Sequence, residues 1–317
     1  MKEIGIMEVG GFRVGHAQNL EAGTGLTVIL PDRMSPCGLD VRGGGPASRE
    51  SQILSPVAQA DSINAVLLSG GSAFGLDAAG GVQKYLEERG IGFDVGVTKV
   101  PLVCQSCVFD LAVGRMDIRP DAAMAYAACE NATHEAPAEG NVGAGTGCTV
   151  GKICGPGRAM KSGFGTYAIE SGGIRVGALV AVNALGDVCG EDGKNICGLR
   201  TPDGKSLDST VDAMLGMMDA PAFKNTNTTI GCIVTNAALP KAMLTKVAGM
   251  AHNGYARAIR PVHTMADGDS IYAMSIGDEK ADVNIVGIMA AYAMQGAIRR
   301  AVMAAEGAYG FPAKRDL

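Results

Sequence analysis

The chain has 317 residues, of which 47% are hydrophobic and 4% aromatic, with 46 glycines and no tryptophan. This composition provides a large core and many tight turns, enough for one large domain or two modest ones. The net charge of −5 argues against a nucleic-acid partner, because phosphate binding requires an excess of positive charge. The N-terminal residues lack a signal-peptide core, and no run of 18 apolar residues predicts a membrane span.

The nine cysteines are scattered and odd in number. In a chain without a secretory signal, this usage favours free, buried thiols and a cytoplasmic protein. Cys104 and Cys107 form a C-x-x-C pair, but no second pair and no histidine stands at the spacing of a zinc site. Burial is therefore the simpler interpretation of the pair, and the sequence predicts neither a metal nor a cofactor.

The first half of the chain alternates predicted strands with glycine-rich turns and two helices. Strands are expected at residues 25–30 and 63–68, helices at 76–89 and 122–129, and glycine-rich turns at 42–50 and 141–152. The strand at 63–68 leads through a glycine-rich loop into the first helix. That loop does not fit the dinucleotide-binding pattern G-x-G-x-x-G and has no Walker lysine, so a nucleotide-dependent oxidoreductase is a weak reading.

The second half has a long polar stretch at residues 187–227 between two regular regions. A strand is expected at 175–184 before it, and strands at 228–234 and 270–276 after it. Helices are expected at 240–259, with Pro240 in the first turn, and at 283–305, with Asp282 as its cap. Strands and helices alternate, but hairpin-like pairs also occur, which favours a layered α+β sandwich over a doubly wound parallel sheet.

A polar segment, residues 224–229, passes abruptly into a strand at Thr228. A threonine hydroxyl in this position can attack the carbonyl of Asn227, and hydrolysis of the resulting ester leaves Thr228 as a new N-terminus. The freed amine then serves as the base for its own hydroxyl. By itself the dipeptide is better explained by an ordinary Asx or Thr turn before a strand.

Two further groups of polar residues are candidates for the same site. Asp267 and Asp269 flank a glycine before the strand at 270, and close like charges raise the pKa of one carboxylate, which suits proton transfer. Asn183, at a strand end, offers an amide for a developing oxyanion, and Lys152 closes the second glycine-rich turn with a positive charge. Taken alone, turn chemistry accounts for the two aspartates, and a satisfied core amide and a surface lysine are the better interpretations of Asn183 and Lys152.

Together these segments resemble the L-aminopeptidase D-Ala-esterase/amidase family, which includes β-peptidyl aminopeptidases and nylon-oligomer endo-hydrolases. The similarity runs through nearly the whole chain, and several of the matching runs are long and ordered. They are residues 13–16 (RVGH), 21–25 (EAGTG), 42–44 (RGG), 67–77 (LLSGGSAFGLD), 143–152, 227–238 and 257–269 (RAIRPVHTMADGD).

The resemblance implies a single α-β-β-α sandwich like that of N-terminal nucleophile hydrolases, though differently connected. It also implies autocleavage into fragments 1–227 and 228–317 that stay together, and assembly of processed protomers into a homo-oligomer, mostly a tetramer. By motif, Thr228 is the nucleophile, Asp267 and Asp269 are its polar partners, and Asn183 and Lys152 stabilise the intermediate. A threonine with two aspartates is similar to the nylon-oligomer branch, whereas the β-peptidyl branch uses serine with a serine and a glutamate.

The implied substrates are small or short-peptide amides, and the family spans L-amino-acid amides, D-alanine esters, β-peptides and aminohexanoate oligomers. One departure concerns this pocket: where relatives often read Tyr-Asp-Leu, this chain has Phe109, Asp110 and Leu111. The tyrosine hydroxyl credited to the site in relatives is then missing, which affects the substrate pocket or the rate.

Two other readings stay open. An acyltransferase of the ornithine-acetyltransferase type has a related fold and also cleaves itself before threonine, although its motifs around the nucleophile differ. A non-catalytic relative that binds a peptide or a partner is the other. His263 lies near the two aspartates, but we interpret it, like His16, as a hydrogen-bonded structural residue, because the N-terminal amine already fills the role of the base.

Overall fold

A computed structural model describes residues 1–217 and 227–317 of the chain. Within them the strands are β1 Lys2–Ile4, β2 Phe12–Asn19, β3 Thr24–Pro31, β4 Ser35–Val41, β5 Ser48–Arg49, β6 Ser62–Ile63, β7 Ala65–Ser69, β8 Phe93–Asp94, β9 Lys99–Val100, β10 Val103–Cys107, β11 Thr149–Val150, β12 Met160–Lys161, β13 Phe164–Ser171, β14 Ile174–Asn183, β15 Asp187–Cys189, β16 Asn195–Cys197, β17 Thr228–Ala237, β18 Ile259–Arg260 and β19 Ser270–Glu279. The helices are α1 Ala79–Glu87, α2 Ala122–Glu130, α3 Thr210–Leu215, α4 Lys241–Ala258 and α5 Val283–Ala304.

The larger sheet has seven strands in the order β1-β13-β14-β17-β19-β4-β6. Its neighbours are antiparallel except for β17 and β19, which are parallel. The smaller sheet has five strands in the order β2-β3-β7-β10-β5, and only β7 and β10 in it are parallel. Both sheets are therefore mixed, as the hairpin-like strand pairs of the sequence indicated.

The two sheets pack face to face, with a pair of helices on each outer face. In β14, the alternate residues Val176, Ala178, Val180 and Val182 join the core under α4 and α5, whereas Leu179 and Ala181 join the core between the sheets. This period of two is what a strand covered on both faces requires. Helices α1 and α2 cover the outer face of the smaller sheet. The predicted α-β-β-α sandwich is confirmed.

The predicted long helices also occur, with ends close to those expected. Asp282 caps α5, its Oδ1 accepting a hydrogen bond from the backbone N–H of Asn284 at 2.8 Å. Pro240 precedes α4 at the N-cap position, where its missing N–H costs no helical hydrogen bond. All nine cysteines are free, as predicted, and eight of them are buried.

Two segments differ from the sequence expectation. The apolar run at 63–68 is split between the sheets, because the buried side chain of Asn64 accepts the backbone N–H of Leu102 at 2.9 Å and separates β6 from β7. The polar stretch that begins at Asp187 forms β15, β16 and α3 before residue 217. The buried Asp187 carboxylate organises it by accepting both the N–H and the hydroxyl of Thr210. Residues 218–226, which include the first part of the segment 224–229, lie outside the described residues.

Across the part of the chain that the structure describes, no helix is long and apolar enough to cross a membrane.

Candidate active site

The ends of three adjacent interior strands meet at one end of the larger sheet. Strand β17 begins at Thr228 beside the last residue of its antiparallel neighbour β14, so that Asn183 lies directly opposite Thr228. Strand β19 runs parallel to β17, and the turn before it, with Asp267 and Asp269, therefore lies next to Thr228 as well. The topology brings all the predicted site residues of the described chain to these strand ends.

The peptide carbonyl before Thr228 receives two hydrogen-bond donors. The buried Thr228 hydroxyl donates to the carbonyl oxygen of Asn227, and the backbone N–H of Gly268 donates to the same oxygen at 3.0 Å. The Asn227 side chain is fixed by a bond from its Nδ2 to the carbonyl of Ala266 at 3.1 Å. The hydroxyl nucleophile, the carbonyl and a backbone donor are thus held together, which is the arrangement that acyl transfer to oxygen requires.

The structure also separates Thr228 from its neighbour Thr229, since successive strand residues point to opposite faces. The Thr229 hydroxyl is fully buried and, among the described residues, has no hydrogen-bond partner. The backbone N–H of Thr229 donates to Oδ1 of Asp269 at 2.8 Å. Thr229 therefore fixes the strand, and Thr228 carries the hydroxyl that reaches the carbonyl.

Asp269 connects the start of β17 to a histidine. Its second oxygen, Oδ2, accepts the backbone N–H of His263 at 3.1 Å and ring Nδ1 of the same residue at 2.9 Å. Asp269 is buried, and His263 is 17% exposed at its side chain. The carboxylate thereby bridges the loop before β19 and the first amide after the candidate nucleophile.

Asp267 is held by the same loop. Its Oδ2 accepts the backbone N–H of Thr264 at 3.1 Å and the Thr264 hydroxyl, and its Oδ1 accepts the N–H of Leu185 at 3.4 Å. Burial, and then the nearby charge of Asp269, raise the pKa of Asp267. Within the described residues, neither Asp267 nor Asp269 makes a hydrogen bond to the Thr228 side chain. Both carboxylates bind backbone amides around it instead.

Asn183 and Lys152 lie on the other side of Thr228 from Asp267 and Asp269, at the end of β14. The Lys152 ammonium donates to both the backbone oxygen and Oδ1 of Asn183, each at 2.9 Å, and the N–H of Thr149 donates to Oδ1 at 3.0 Å. These bonds direct the Asn183 Nδ2 to the carbonyl of Phe109 at 2.8 Å. Burial lowers the pKa of Lys152 to about 7, with nearby carboxylates acting in the opposite direction.

An apolar pocket of about 190 Å³ opens beside Lys152. Phe109 and Phe311 face it from two different loops, and Ala112, Val113, Pro156 and Ala159 complete most of its wall. Phe109 thus lines a pocket at the site, where the tyrosine of relatives was expected to contribute a hydroxyl. The next residue, Asp110, is buried and binds the Thr24 hydroxyl and the Gly71 amide, and burial raises its pKa to about 6.

The sequence interpretation missed two contributors, Gly268 and Thr264. His263 is hydrogen-bonded, as interpreted from the sequence, and the structure names Asp269 as its partner. The signal for Gly268 was its place between two acidic residues at a strand start. A Cβ at this position would lie 2.8 Å from the Thr228 hydroxyl oxygen and 2.8 Å from the carbonyl oxygen of Gly45. Only glycine lets the backbone approach this closely.

Among the described residues, no three histidine, cysteine, aspartate or glutamate side chains are grouped so that they could hold a metal ion. Cys104 and Cys107 are buried on β10, and burial raises the pKa of both thiols.

The profile of peptidase family S58 matches residues 5–315. The chain belongs to peptidase family S58. It is 37% identical to an uncharacterized aminopeptidase of Mycobacterium bovis over 98% of this chain and 97% of that one. It is 29% identical to a 6-aminohexanoate-oligomer endohydrolase of a Kocuria species over 84% of this chain and 73% of that one.

The fold is also found among solved structures. The structure of the L-aminopeptidase D-Ala-esterase/amidase from Ochrobactrum anthropi, described as a variant of the Ntn hydrolase fold, superposes with a TM-score of 0.71 at 19% identity. The match covers 97% of this chain and 88% of that one. The protein is therefore a hydrolase of the peptidase type with an Ntn-hydrolase fold, and both the resemblance and the fold class read from the sequence are confirmed.

Proposed function

We propose that this S58 peptidase cleaves its own chain between Asn227 and Thr228 and then works as an aminopeptidase with Thr228 as its N-terminal nucleophile. The observation that carries the proposal is the convergence of the Thr228 hydroxyl and the Gly268 N–H on the carbonyl of Asn227. Membership of a peptidase family supports amide hydrolysis as the reaction.

Self-cleavage follows from this contact in two steps. The Thr228 oxygen adds to the carbonyl carbon of Asn227 while Gly268 N–H stabilises the negative oxygen, and the hydroxyl proton passes to the Thr228 nitrogen. The carbon–nitrogen bond breaks and leaves an ester of Asn227 on the Thr228 oxygen. The break of this bond already frees the Thr228 amine, and water then hydrolyses the ester to the Asn227 carboxylate and the free Thr228 hydroxyl.

In turnover, the free Thr228 amine takes the proton of its own hydroxyl as the oxygen attacks a substrate amide. The proton then passes to the departing amine, and water releases the acyl group from the enzyme. Asp269 and Asp267 hold the backbone on both sides of this centre, at Thr229 and Leu185. The Lys152–Asn183 pair supplies positive charge beside it.

The substrate proposed from the site is a small amino-acid amide or a short peptide or oligomer with an apolar portion. The pocket beside Lys152 has two phenylalanines in its wall and no acidic side chain among its lining residues. The relatives named above are an aminopeptidase and an oligomer endohydrolase, which is consistent with hydrolysis of amides of this size. We also propose that the chain is a single domain whose two fragments stay together after cleavage. The processed protomers are proposed to form a homo-oligomer.

The test compares two nearly isosteric substitutions at adjacent residues. Thr228→Val removes the proposed nucleophile, and Thr229→Val removes a neighbouring buried hydroxyl that has no partner among the described residues. We expect wild type and Thr229→Val to give two fragments on a denaturing gel, the smaller with Thr228 as its N-terminal residue. Thr228→Val should stay full length and release no amine from amino-acid p-nitroanilides.

Each outcome bears on one part of the proposal. A full-length, inactive wild-type chain contradicts self-processing, and cleavage of Thr228→Val contradicts the choice of nucleophile. A processed chain that transfers acetyl groups to an amino acid and hydrolyses none of the four substrate types of the family would favour the acyltransferase. A processed chain without any turnover would favour the binding role.

A further inference from the structure

The strongest unassigned cluster lies behind Asp269 and consists of His263, His252 and Tyr255. The His263 ring packs against two aromatic side chains of α4, which also contact each other at 5.1 Å between ring centroids. Tyr255 stacks on it at 5.8 Å between ring centroids, and His252 meets it edge-on at 4.7 Å. Both residues of α4 are fully buried. The ring therefore has little freedom to turn.

The backbone of His263 supports the same contact. Its φ is +60°, in the left-handed region that is uncommon for residues other than glycine, although histidine, asparagine and aspartate occur there more often than most. In this conformation the backbone N–H and ring Nδ1 both point to Oδ2 of Asp269, at 3.1 and 2.9 Å. Packing of the ring against α4 and two hydrogen bonds to one oxygen together fix His263 against Asp269.

The hydrogen-bond partner of the His263 ring decides which ring nitrogen carries the proton. A carboxylate only accepts hydrogen bonds, so Nδ1 of His263 carries the proton. The other ring nitrogen, Nε2, is buried and has no hydrogen-bond partner among the described residues. The ring thus donates to Asp269, and the other oxygen of that carboxylate receives the N–H of Thr229, next to the nucleophile.

We infer that His263 is a positioning residue: its Nδ1–H fixes the Asp269 carboxylate, which in turn fixes the start of β17 and the direction of the Thr228 hydroxyl. This inference rests on the proposed function. His263 has no hydrogen bond to Thr228, and it transfers no proton in the reaction. The two oxygens of Asp269 bridge His263 and Thr229. Loss of the ring donor leaves only the backbone N–H of His263 on Oδ2, and the carboxylate can then shift away from the Thr229 amide.

The experiment uses substitutions that separate the side-chain hydrogen-bond donor of His263 from the positive φ of its backbone. In His263→Asn, the amide nitrogen takes the place of Nδ1 and asparagine tolerates a positive φ. His263→Gly tolerates the same φ and keeps the backbone N–H to Asp269 but has no side-chain donor. We expect kcat of the processed Gly variant to fall about 10- to 100-fold, as for a lost hydrogen bond to a charged group, with KM changed by less than about twofold.

The Asn variant should recover most of this loss in kcat and should process as completely as wild type. An Asn variant as slow as the Gly variant would overturn the inference, because it would mean that the ring itself acts as a base. A Gly variant with wild-type kcat and processing would overturn it too. Thermal melting shows which variants fold, and His263→Ala, which has no side-chain donor and adds no charge beside Asp269, replaces a Gly variant that does not fold.

The exposed His134→Ala serves as the control and should behave as wild type in every assay, since its side chain is 60% exposed and contacts Asp32 at the surface. A wild-type chain that neither processes nor hydrolyses overturns the proposed function, and the role of His263 falls with it. A wild type that does both, beside an unaffected His263→Gly, overturns only the role of His263.

Discussion

At the scale of single residues, the site is built mostly by side chains that hold backbone amides. Asp269 binds the N–H of Thr229 and Asp267 binds the N–H of Leu185, while the Gly268 N–H between them binds the carbonyl that Thr228 would attack. A rigid backbone therefore aims the nucleophile, and small displacements in this turn should have large effects on rate.

Gly268→Ala tests this sensitivity. The new Cβ would lie 2.8 Å from the Thr228 hydroxyl oxygen, too close for an ordinary contact, so the turn or the nucleophile must move. We expect self-cleavage to slow about 100-fold, as for a misplacement of about 1 Å. The measurement is the fraction of chain in the two fragments at fixed times after synthesis. Gly80→Ala, in helix α1, where a Cβ meets nothing within 4 Å, should cleave normally.

Asp110 makes a prediction about pH and stability. Burial raises its pKa to about 6 from 3.8, so the folded chain binds a proton there between these values and loses the resulting stability as pH rises through about 6. In Asp110→Asn, the amide can still accept from the Gly71 N–H and donate to the Thr24 hydroxyl. From pH 4 to pH 7, the free energy of unfolding of the variant should gain at most about 3 kcal/mol relative to wild type.

Denaturant unfolding of the two chains at several pH values measures this difference. The comparison is internal to each variant, so any constant effect of the substitution cancels. Parallel curves for the two chains between pH 4 and 7 would show that Asp110 is ionised at little cost in the folded protein.

At the scale of elements, the apolar pocket is formed by segments that are distant in the chain. Phe109 follows β10, Pro156 and Ala159 belong to the turn after β11, and Phe311 lies after α5. The pocket touches the site through Lys152 and through the carbonyl of Phe109, which accepts Nδ2 of Asn183. Substitutions in its wall should therefore change substrate binding before they change self-cleavage.

Ala112→Trp tests this separation. Ala112 is exposed and lines the pocket, so a tryptophan can narrow it without entering the core. We expect KM to rise at least about tenfold for substrates with large apolar side chains, as for loss of one buried apolar side chain, and self-cleavage to be unchanged. Steady-state kinetics on a series of amino-acid p-nitroanilides measures the effect, with Ala112→Ser as the matched control. If Ala112→Trp changed KM equally for substrates with large and small side chains, the substrate side chain would not bind in this pocket.

At the scale of the whole molecule, the two proposed fragments are interleaved in the larger sheet. Strands β17 and β19 come from residues 228–317, and they pair with β14 on one side and β4 on the other, both from residues 1–227. Helices α4 and α5, also from residues 228–317, share one core with β14. Dissociation would break two ladders and expose this core to water, which is strongly unfavourable.

We therefore expect the processed fragments to co-elute in native gel filtration and to separate only in denaturant. Immobilising the larger fragment through an N-terminal tag and washing with buffer, with salt and then with urea measures the retention of the smaller one. Release by high salt alone would mean that charge, and not the shared core, holds the fragments together.

Much of this fold was predictable from local pattern. Periodicity identified β14, β17, β19, α4 and α5 to within a few residues, because each carries a strong apolar period and a clear start or end signal. The order of strands, and the division of residues 63–68 between the two sheets by the Asn64 side chain, were not predictable, since they depend on partners far along the chain.

For the site, the sequence by itself determined the candidate residues: Thr228 at a strand start, the acidic pair at 267 and 269, and Asn183 and Lys152. Their roles needed the tertiary structure. It decided that both carboxylates bind backbone amides, that the Asn183 amide nitrogen binds the carbonyl of Phe109, and that Gly268 N–H reaches the Asn227 carbonyl. A residue type fixes which groups can donate or accept, but direction and distance depend on the packing of strand ends that are distant in sequence.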